Sequence, residues 1–333
     1  MDASGVRHCP YGLLAISLLS LGRLAAEEVL PLPKPLPDVR HPADNPATAD
    51  KIALGKALFF DPRLSRTDKV SCASCHDPAK GFSNGERVAT GVDGQQGTRS
   101  APSLINVGYY RSQFWDGRAG TLEEQALVPL QDAKEMDMRL DALLRKLNGI
   151  ADYRQRFQAV FGGEATGPRI GQAIAAFERT IVSRETPFDR YLKGDQQALP
   201  AAALRGLKLF YGQARCFVCH QGPNFTDDDF HNIGIFDEGR PDPGRRSVTG
   251  KPADQGKFKT PTLREIGRTA PYMHNGRFKT LAEVVGHYNF GGVTDAANDR
   301  RDEKLSVLYL NEDQVNDLVA FLTEGLTTPQ RRP

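Results

Sequence analysis

The two stretches that decide the fold are Cys72-Ala-Ser-Cys75-His76 and Cys216-Phe-Val-Cys219-His220. In this spacing two thiols add to the vinyl groups of a porphyrin, and the adjacent histidine ligates the iron. A redox dithiol and half of a zinc site are the alternatives, but a zinc site would leave both histidines without a role. The motifs use four of the five cysteines in the chain. The sequence therefore predicts two covalently bound haems c.

The first 26 residues have the pattern of a secretory signal peptide. Arg7 precedes an apolar run over residues 12–22, and the small residues Ala25 and Ala26 follow it. Such a run is too short to remain as a transmembrane helix. The fifth cysteine, Cys9, lies before the run and is expected to be removed with the signal. The sequence predicts export to the periplasm and, after cleavage, a chain without a membrane span.

Length and internal similarity predict two domains. The net charge of +2 gives no basic field for nucleic acid, and about 300 mature residues exceed one typical domain. Gly55-Lys-Ala-Leu-Phe-Phe60 precedes the first haem motif, and Gly206-Leu-Lys-Leu-Phe-Tyr211 precedes the second. This repetition indicates duplication. We expect haem domains over 27–199 and 200–333.

Apolar residues recur with helical spacing. Leu140, Leu143, Leu144 and Leu147 would form one face of a helix that ends near Gly149. Alternation typical of strands is scarce. The expected fold is mainly α, with two cytochrome c-like haem domains.

Three further segments carry a family resemblance: Leu54-Gly-Lys-Ala-Leu-Phe-Phe-Asp-Pro-Arg-Leu-Ser65, Phe114-Trp-Asp-Gly-Arg118 and Ala270-Pro-Tyr-Met-His-Asn-Gly276. With the haem motifs they resemble the bacterial dihaem cytochrome c peroxidase and MauG family over nearly the whole mature chain. The resemblance implies a peroxide-reacting haem in the N-terminal domain and an electron-transfer haem in the C-terminal domain. It also implies that the chain is an enzyme. Hydrogen peroxide would be reduced with electrons from a small cytochrome c or a cupredoxin. The alternative is a MauG-type oxidation of side chains in a partner protein.

Splitting a peroxide O–O bond requires a group that moves a proton between the two oxygens. No histidine lies between His76 and His220, so a carboxylate must serve. Thr121-Leu-Glu-Glu124 has the form of a capping box, and the helix it would begin places Gln125 and Pro129 on one face, with Glu135 just beyond. A surface glutamate is the alternative reading of Glu135. The resemblance implies that these three residues form the peroxide pocket.

Many peroxidases of the family place a histidine on the loop after the first haem motif, where it blocks the iron until the other haem is reduced. Here Val92 stands at the equivalent distance from His76. The first haem is therefore expected to be five-coordinate and ready for peroxide without reductive activation. A dihaem electron carrier without peroxide chemistry, the third functional possibility, would have both irons six-coordinate.

Trp115 is the only tryptophan. An indole usually serves in packing, but the resemblance implies that Trp115 lies between the haems and relays an electron.

The sixth ligand of the second haem has several candidates downstream of His220, namely His231, Met273, His274, His287 and Tyr288. A helix beginning after Thr280 would put Tyr288 on its apolar face and His287 about 100° away, a pattern that leaves Tyr288 as either core or ligand. In the family, cytochrome c peroxidases have a methionine fourteen residues after the histidine of a Tyr-x-His-x-Gly motif, and MauG proteins have a tyrosine. Counting from His274 gives Tyr288, which implies MauG-like His/Tyr ligation.

Two positions bear on other properties of the family. MauG has a tryptophan, used to withdraw electrons from its protein substrate, where this chain has Ala214. The family's interdomain calcium site uses backbone oxygens that correspond to Thr269 and Pro271, and an asparagine that is Ser100 here. The resemblance implies a possible calcium, because serine oxygens also suit the ion.

Overall fold

The computed structural model describes residues 30–236, 242–292 and 300–329. The expected signal peptide, residues 1–26, lies outside the described residues. Within them, no helix combines the length and apolar character needed to cross a membrane.

The protein is mainly helical, as predicted. From residue Pro31 onward it forms one compact unit. Within the described residues, two strands of two residues each, β1 (Phe230–His231) and β2 (Phe258–Lys259), pair antiparallel. The helices are α1 (Ala49–Phe60), α2 (Cys72–Cys75), α3 (Leu122–Gln125), α4 (Val128–Gln131), α5 (Leu140–Gly149), α6 (Ala151–Phe161), α7 (Gly167–Glu178), α8 (Pro187–Leu192), α9 (Ala201–Tyr211), α10 (Arg246–Thr249), α11 (Leu281–Asn289) and α12 (Glu312–Ala320).

In the N-terminal half, α1 packs across α7 at a glycine. A Cβ atom on Gly55 would lie 1.9 Å from the carbonyl oxygen of Ala173, so only glycine permits this approach. Phe59 and Phe177 fill the space beside the crossing, with ring centroids 5.1 Å apart. Cys72 and Cys75 follow α1 in the chain, so the packing of α1 against α7 positions the segment that leads into the first haem motif.

The C-terminal half repeats the arrangement with α9 and α12. A Cβ atom on Gly206 would lie 1.9 Å from the carbonyl oxygen of Asp317. Phe210 and Phe321 take the places of the first aromatic pair, with centroids 5.4 Å apart. The repeat agrees with the duplication seen in the sequence. The division at residues 199/200 stays a prediction.

Buried polar contacts join the two halves. The Arg264 guanidinium, with a fully buried side chain, donates two hydrogen bonds to the Asp189 carboxylate at 2.7 and 2.8 Å. Asn106 donates its side-chain amide to Asn224 at 2.8 Å. Because such contacts require good geometry, they fix one register between the halves.

Of the two predicted capping boxes, one forms completely and the other forms only in part. Thr280 and Glu283 form the full reciprocal capping box at the start of α11. Thr121 accepts a hydrogen bond from the Glu124 amide, but the Glu124 carboxylate accepts from Gly120 instead of Thr121. The helix predicted to carry both Gln125 and Pro129 is also divided into α3 and α4. Pro129 has no backbone N–H to donate to the preceding turn, so α3 does not continue into α4 as one helix.

Candidate haem and peroxide site

The first haem motif forms the short helix α2, and a hydrogen bond orients its histidine. The Nδ1–H of His76 donates to the carbonyl oxygen of Phe82 at 3.0 Å, which leaves Nε2 free to ligate iron. Burial lowers the pKa of His76, so the imidazole is held in the neutral form that binds metals. Cys72 and Cys75 are free thiols, and burial raises the pKa of Cys75 to about 11.

The second motif has the same geometry. The Nδ1–H of His220 donates to the carbonyl oxygen of Phe225 at 3.0 Å. Burial again lowers the pKa of this histidine. Cys216 and Cys219 are also free thiols, and burial raises the pKa of Cys216 to about 12. Raised thiol pKa values do not fit a reactive redox dithiol, whereas thiols beside an oriented neutral histidine fit a haem c.

A cavity adjoins the first motif. It brings together the haem-binding residues and the three residues predicted for the peroxide pocket. The lining residues are Val70, Ser71, Cys72, Cys75, His76, Gln125, Ala126, Pro129, Glu135, Met136, Ile174 and Glu178. The mainly apolar wall with a few polar groups suits a porphyrin and a small polar substrate.

Glu135 is the predicted proton carrier in this cavity. Burial raises the pKa of its carboxyl group, the nearby Asp132 adds to the rise, and Arg118 opposes it. A raised pKa brings a carboxyl group closer to the range in which it can both accept and release a proton.

The loop that lacks a histidine lies behind Glu135. Val92 is buried, and among the described residues it does not belong to the cavity lining. Its backbone N–H donates to the carbonyl oxygen of Glu135 at 2.8 Å. The loop therefore contacts the backbone of the acid segment and offers no haem ligand at position 92.

Glu178, at the end of α7, is a cavity residue that the sequence reasoning missed. Its side chain is buried, and within the described part of the chain its Oε2 atom has no hydrogen-bond partner. Burial raises its pKa to about 8. The signal was present in the sequence, because Glu178 continues the apolar i, i+4 row of Ile170 and Ile174.

Trp115 lies where the two halves meet. Its indole Nε1–H donates to the carbonyl oxygen of Ser100 at 2.9 Å. Its own carbonyl oxygen accepts from the backbone N–H of Lys259, in the C-terminal half, at 2.8 Å. The first contact orients the indole, and the second ties the backbone of Trp115 to the C-terminal half. The relay role stays a prediction.

The candidate ligands of the second haem are in different environments. Tyr288 is half-buried, and desolvation and the neighbouring Cys219 and Cys216 raise its pKa. His287, by contrast, is bonded through Nε2 to the carbonyl oxygen of Ile233 at 2.8 Å. Its ring also packs against Phe278, with centroids 5.4 Å apart. Tyr288 therefore lies beside the second motif, while His287 is engaged elsewhere.

The other two histidine candidates are also engaged. His231 is bonded to Asp227 at 2.8 Å and to Asp302 at 2.6 Å. His274 stacks on Phe258, with ring centroids 3.6 Å apart. Met273, in the same segment, has a backbone φ of 75°.

The three predicted calcium residues lie near one another along two segments. Ser100 is buried, and its backbone N–H donates to the carbonyl oxygen of His274 at 2.7 Å. Thr269 uses its hydroxyl as a donor to Ile266 at 3.2 Å. Pro271 lines an open groove whose other lining residues include Arg87, Arg277 and Lys279. These cations do not favour a calcium ion beside Pro271. The calcium site stays a prediction.

Comparison with known proteins agrees with this geometry. Residues 49–197 match the family model described as di-haem cytochrome c peroxidase. The chain is 42% identical to methylamine utilization protein MauG of Methylorubrum extorquens, over 85% of this chain and 80% of that protein. It is 38% identical to cytochrome c551 peroxidase of Nitrosomonas europaea, over 93% and 90% of the two chains.

Solved structures show the same fold. A MauG-like protein associated with microbial copper homeostasis is 35% identical, with a TM-score of 0.82 over 90% of this chain and 95% of that one. The dihaem peroxidase BthA of Burkholderia thailandensis is 27% identical, with a TM-score of 0.76 over 85% and 87% of the chains. The resemblance inferred from the motifs is confirmed. The chain belongs to the di-haem cytochrome c peroxidase and MauG family of oxidoreductases.

Proposed function

We propose that this protein is a periplasmic dihaem c peroxidase that reduces hydrogen peroxide to water. Cys72, Cys75 and His76 would hold the haem that reacts with peroxide, and Cys216, Cys219 and His220 would hold the haem that receives electrons from a small cytochrome c or a cupredoxin. The supporting observation is that Gln125, Pro129 and Glu135, expected for the peroxide pocket, line the same cavity as the first haem motif. Export rests on residues 1–26, which lie outside the described residues.

The haem supplies the electrons and the open iron position when it is bound. The chain's part is to move one proton. The Glu135 carboxylate accepts a proton from one peroxide oxygen and returns it to the other, which leaves as water. The Gln125 amide orients the peroxide or the carboxylate, and Pro129 with Met136 keeps bulk water away. A buried carboxyl group with a raised pKa suits this exchange.

The decisive test is Glu135→Gln. The amide keeps the size of the side chain but cannot accept the proton, so peroxide turnover should fall by roughly 10²- to 10⁴-fold. Haem content and the resting spectrum should hardly change. Glu164→Gln, at an exposed glutamate, is the matched control. Turnover of the Glu135 variant within about twofold of wild type would show that the proton carrier is misassigned.

Electron paramagnetic resonance tests the open iron. Since Val92 replaces the blocking histidine, the resting ferric protein should show one high-spin and one low-spin haem. A spectrum with two low-spin haems would contradict the open site and favour a simple electron carrier.

The second candidate is oxidation of side chains in a partner protein, and the relatives named MauG support it. The two candidates differ in the electron source. Peroxide-treated protein mixed with a reduced small cytochrome should return rapidly to the ferric state if the peroxidase proposal holds. The chain has the buried Ala214 where MauG has a tryptophan, so it lacks that route to a partner protein.

Two finer assignments belong to the same proposal. Tyr288 is proposed as the sixth ligand of the second haem, with support from its position beside Cys216 and Cys219. Calcium between the halves, near Ser100 and Pro271, is proposed on the resemblance alone.

A further inference from the structure

The segment Ala89–Gln95 packs directly onto the backbone that carries Glu135. A Cβ atom on Gly91 would lie 2.2 Å from the carbonyl oxygen of Lys134 and 2.3 Å from that of Glu135. It would also lie 2.6 Å from the Glu135 Cα atom. No side chain fits at position 91 unless the acid segment moves. The tight contact is continued by the hydrogen bond from Val92 N–H to the Glu135 carbonyl oxygen.

Glycine is needed at position 91 for space and not for its backbone angles. The φ angle of Gly91 is −104°, which other residues adopt readily. Gly97, in the same loop, has room for a side chain, since the nearest atom to its Cβ position lies 3.6 Å away. A Cβ atom at Gly91 would therefore meet the backbone of Glu135, whereas one at Gly97 would not.

Arg66 ties the same two segments together from the solvent side. Its Nε donates to Asp137 at 2.6 Å, and its guanidinium also pairs with Asp93. Asp93 belongs to the loop, and Asp137 follows Glu135 by two residues. The backbone N–H of Arg66 also donates to the carbonyl oxygen of Met136 at 2.9 Å.

The loop also reaches the first haem motif. The carbonyl oxygen of Thr90 lies 3.8 Å from the sulfur of Cys75. The loop thus contacts both the cysteine that would attach the haem and the acid segment. A shift of either contact would change the position of Glu135 relative to the first haem motif.

We propose that the segment Ala89–Gln95 is a fixed brace, and that Gly91 and Arg66 are positioning residues that set the place of the Glu135 carboxylate. This inference rests on the proposed role of Glu135 as proton carrier. Misplacement of a reacting group by about 1 Å can cost roughly 100-fold in rate. The brace therefore acts on catalysis without touching the peroxide.

The test is a double-mutant cycle on the haem-loaded protein. Gly91→Ala should lower peroxide turnover by roughly 10- to 100-fold, with haem content and the high-spin signal unchanged. Gly97→Ala should stay within about twofold of wild type. In a Glu135→Gln background, Gly91→Ala should cause no further loss, because the group that it displaces no longer works. If Gly91 has only a structural role, Gly91→Ala should lower peroxide turnover by the same factor in wild type and in the Glu135→Gln variant.

The outcomes separate the brace from the proposed function. Normal turnover of Gly91→Ala, or an additive loss in the double variant, would refute the brace proposal. Neither result would contradict the role of Glu135 as proton carrier. Normal turnover of Glu135→Gln overturns both. If Gly91→Ala does not fold, Arg66→Gln replaces it. Its loss should be about 3- to 10-fold and should again vanish in the Glu135→Gln background, and an additive or absent loss overturns the brace.

Discussion

Gly55→Ala should destabilise the N-terminal haem half through a clash that the structure measures. The new methyl group would lie 1.9 Å from the Ala173 carbonyl oxygen, whereas an ordinary contact is about 3.5 Å. Helices α1 and α7 must therefore separate by roughly 1.5 Å, or distort locally. Overpacking of a close-packed core costs typically about 1–3 kcal/mol. At roughly 2–4 °C per kcal/mol, the melting temperature should fall by about 2–12 °C.

Differential scanning calorimetry of the haem-loaded protein measures this change, with visible absorption to follow each haem. Gly206→Ala is the matched variant in the C-terminal half, because its Cβ atom would also lie 1.9 Å from a carbonyl oxygen. Gly149→Ala is the control, since nothing lies within 4 Å of its Cβ position. If the haem halves are separate domains, each variant should disturb its own haem. A melting temperature of Gly55→Ala within about 1 °C of wild type would refute the reasoning.

Three further predictions follow from buried polar groups. Hydrogen bonding to Asp227 raises the pKa of His231 above 6.5, so the stabilisation from this pair is present below pH 6.5 and is lost as pH rises through the raised pKa. The free energy of unfolding in urea should fall over this range more in wild type than in His231→Gln, and equal slopes against pH would contradict it. Asp189→Ala leaves the Arg264 charge buried without its carboxylate, so the free energy of unfolding should fall by about 3–5 kcal/mol. An unchanged urea midpoint would show that the Asp189–Arg264 pair does not stabilise the fold. Tyr288→Met should raise the potential of the second haem in a redox titration, because a thioether favours reduced iron more than an oxygen ligand does; no change would exclude Tyr288 as ligand.

The haem sites could be predicted because their chemistry lies within five consecutive residues. The thiols and histidine of Cys72–His76 are brought together by local backbone alone, and the same holds for Cys216–His220. Local hydrogen bonds also determine the start of α11 at Thr280. The motif order identified the family, and the relatives confirm it.

Tertiary structure decided what depends on segments distant in the chain. The row of Ile170, Ile174 and Glu178 placed Glu178 on the buried face of α7, but only the tertiary structure showed that this face meets the cavity beside the first haem motif. The division between α3 and α4 was missed, since the capping residues gave no sign of it. Gly91 has an ordinary φ angle, so no sequence rule for turns marks it.

The sequence by itself predicted the two haem-attachment motifs and determined the helical class and the family, since each depends on short-range pattern. It also named Gln125, Pro129 and Glu135, but it could not supply the common wall that they share with His76. Only the tertiary structure gave that wall, and with it the close contact of Gly91 behind Glu135. Contacts of this kind arise when separate segments exclude water together, and their distances are set by the packing of the whole domain.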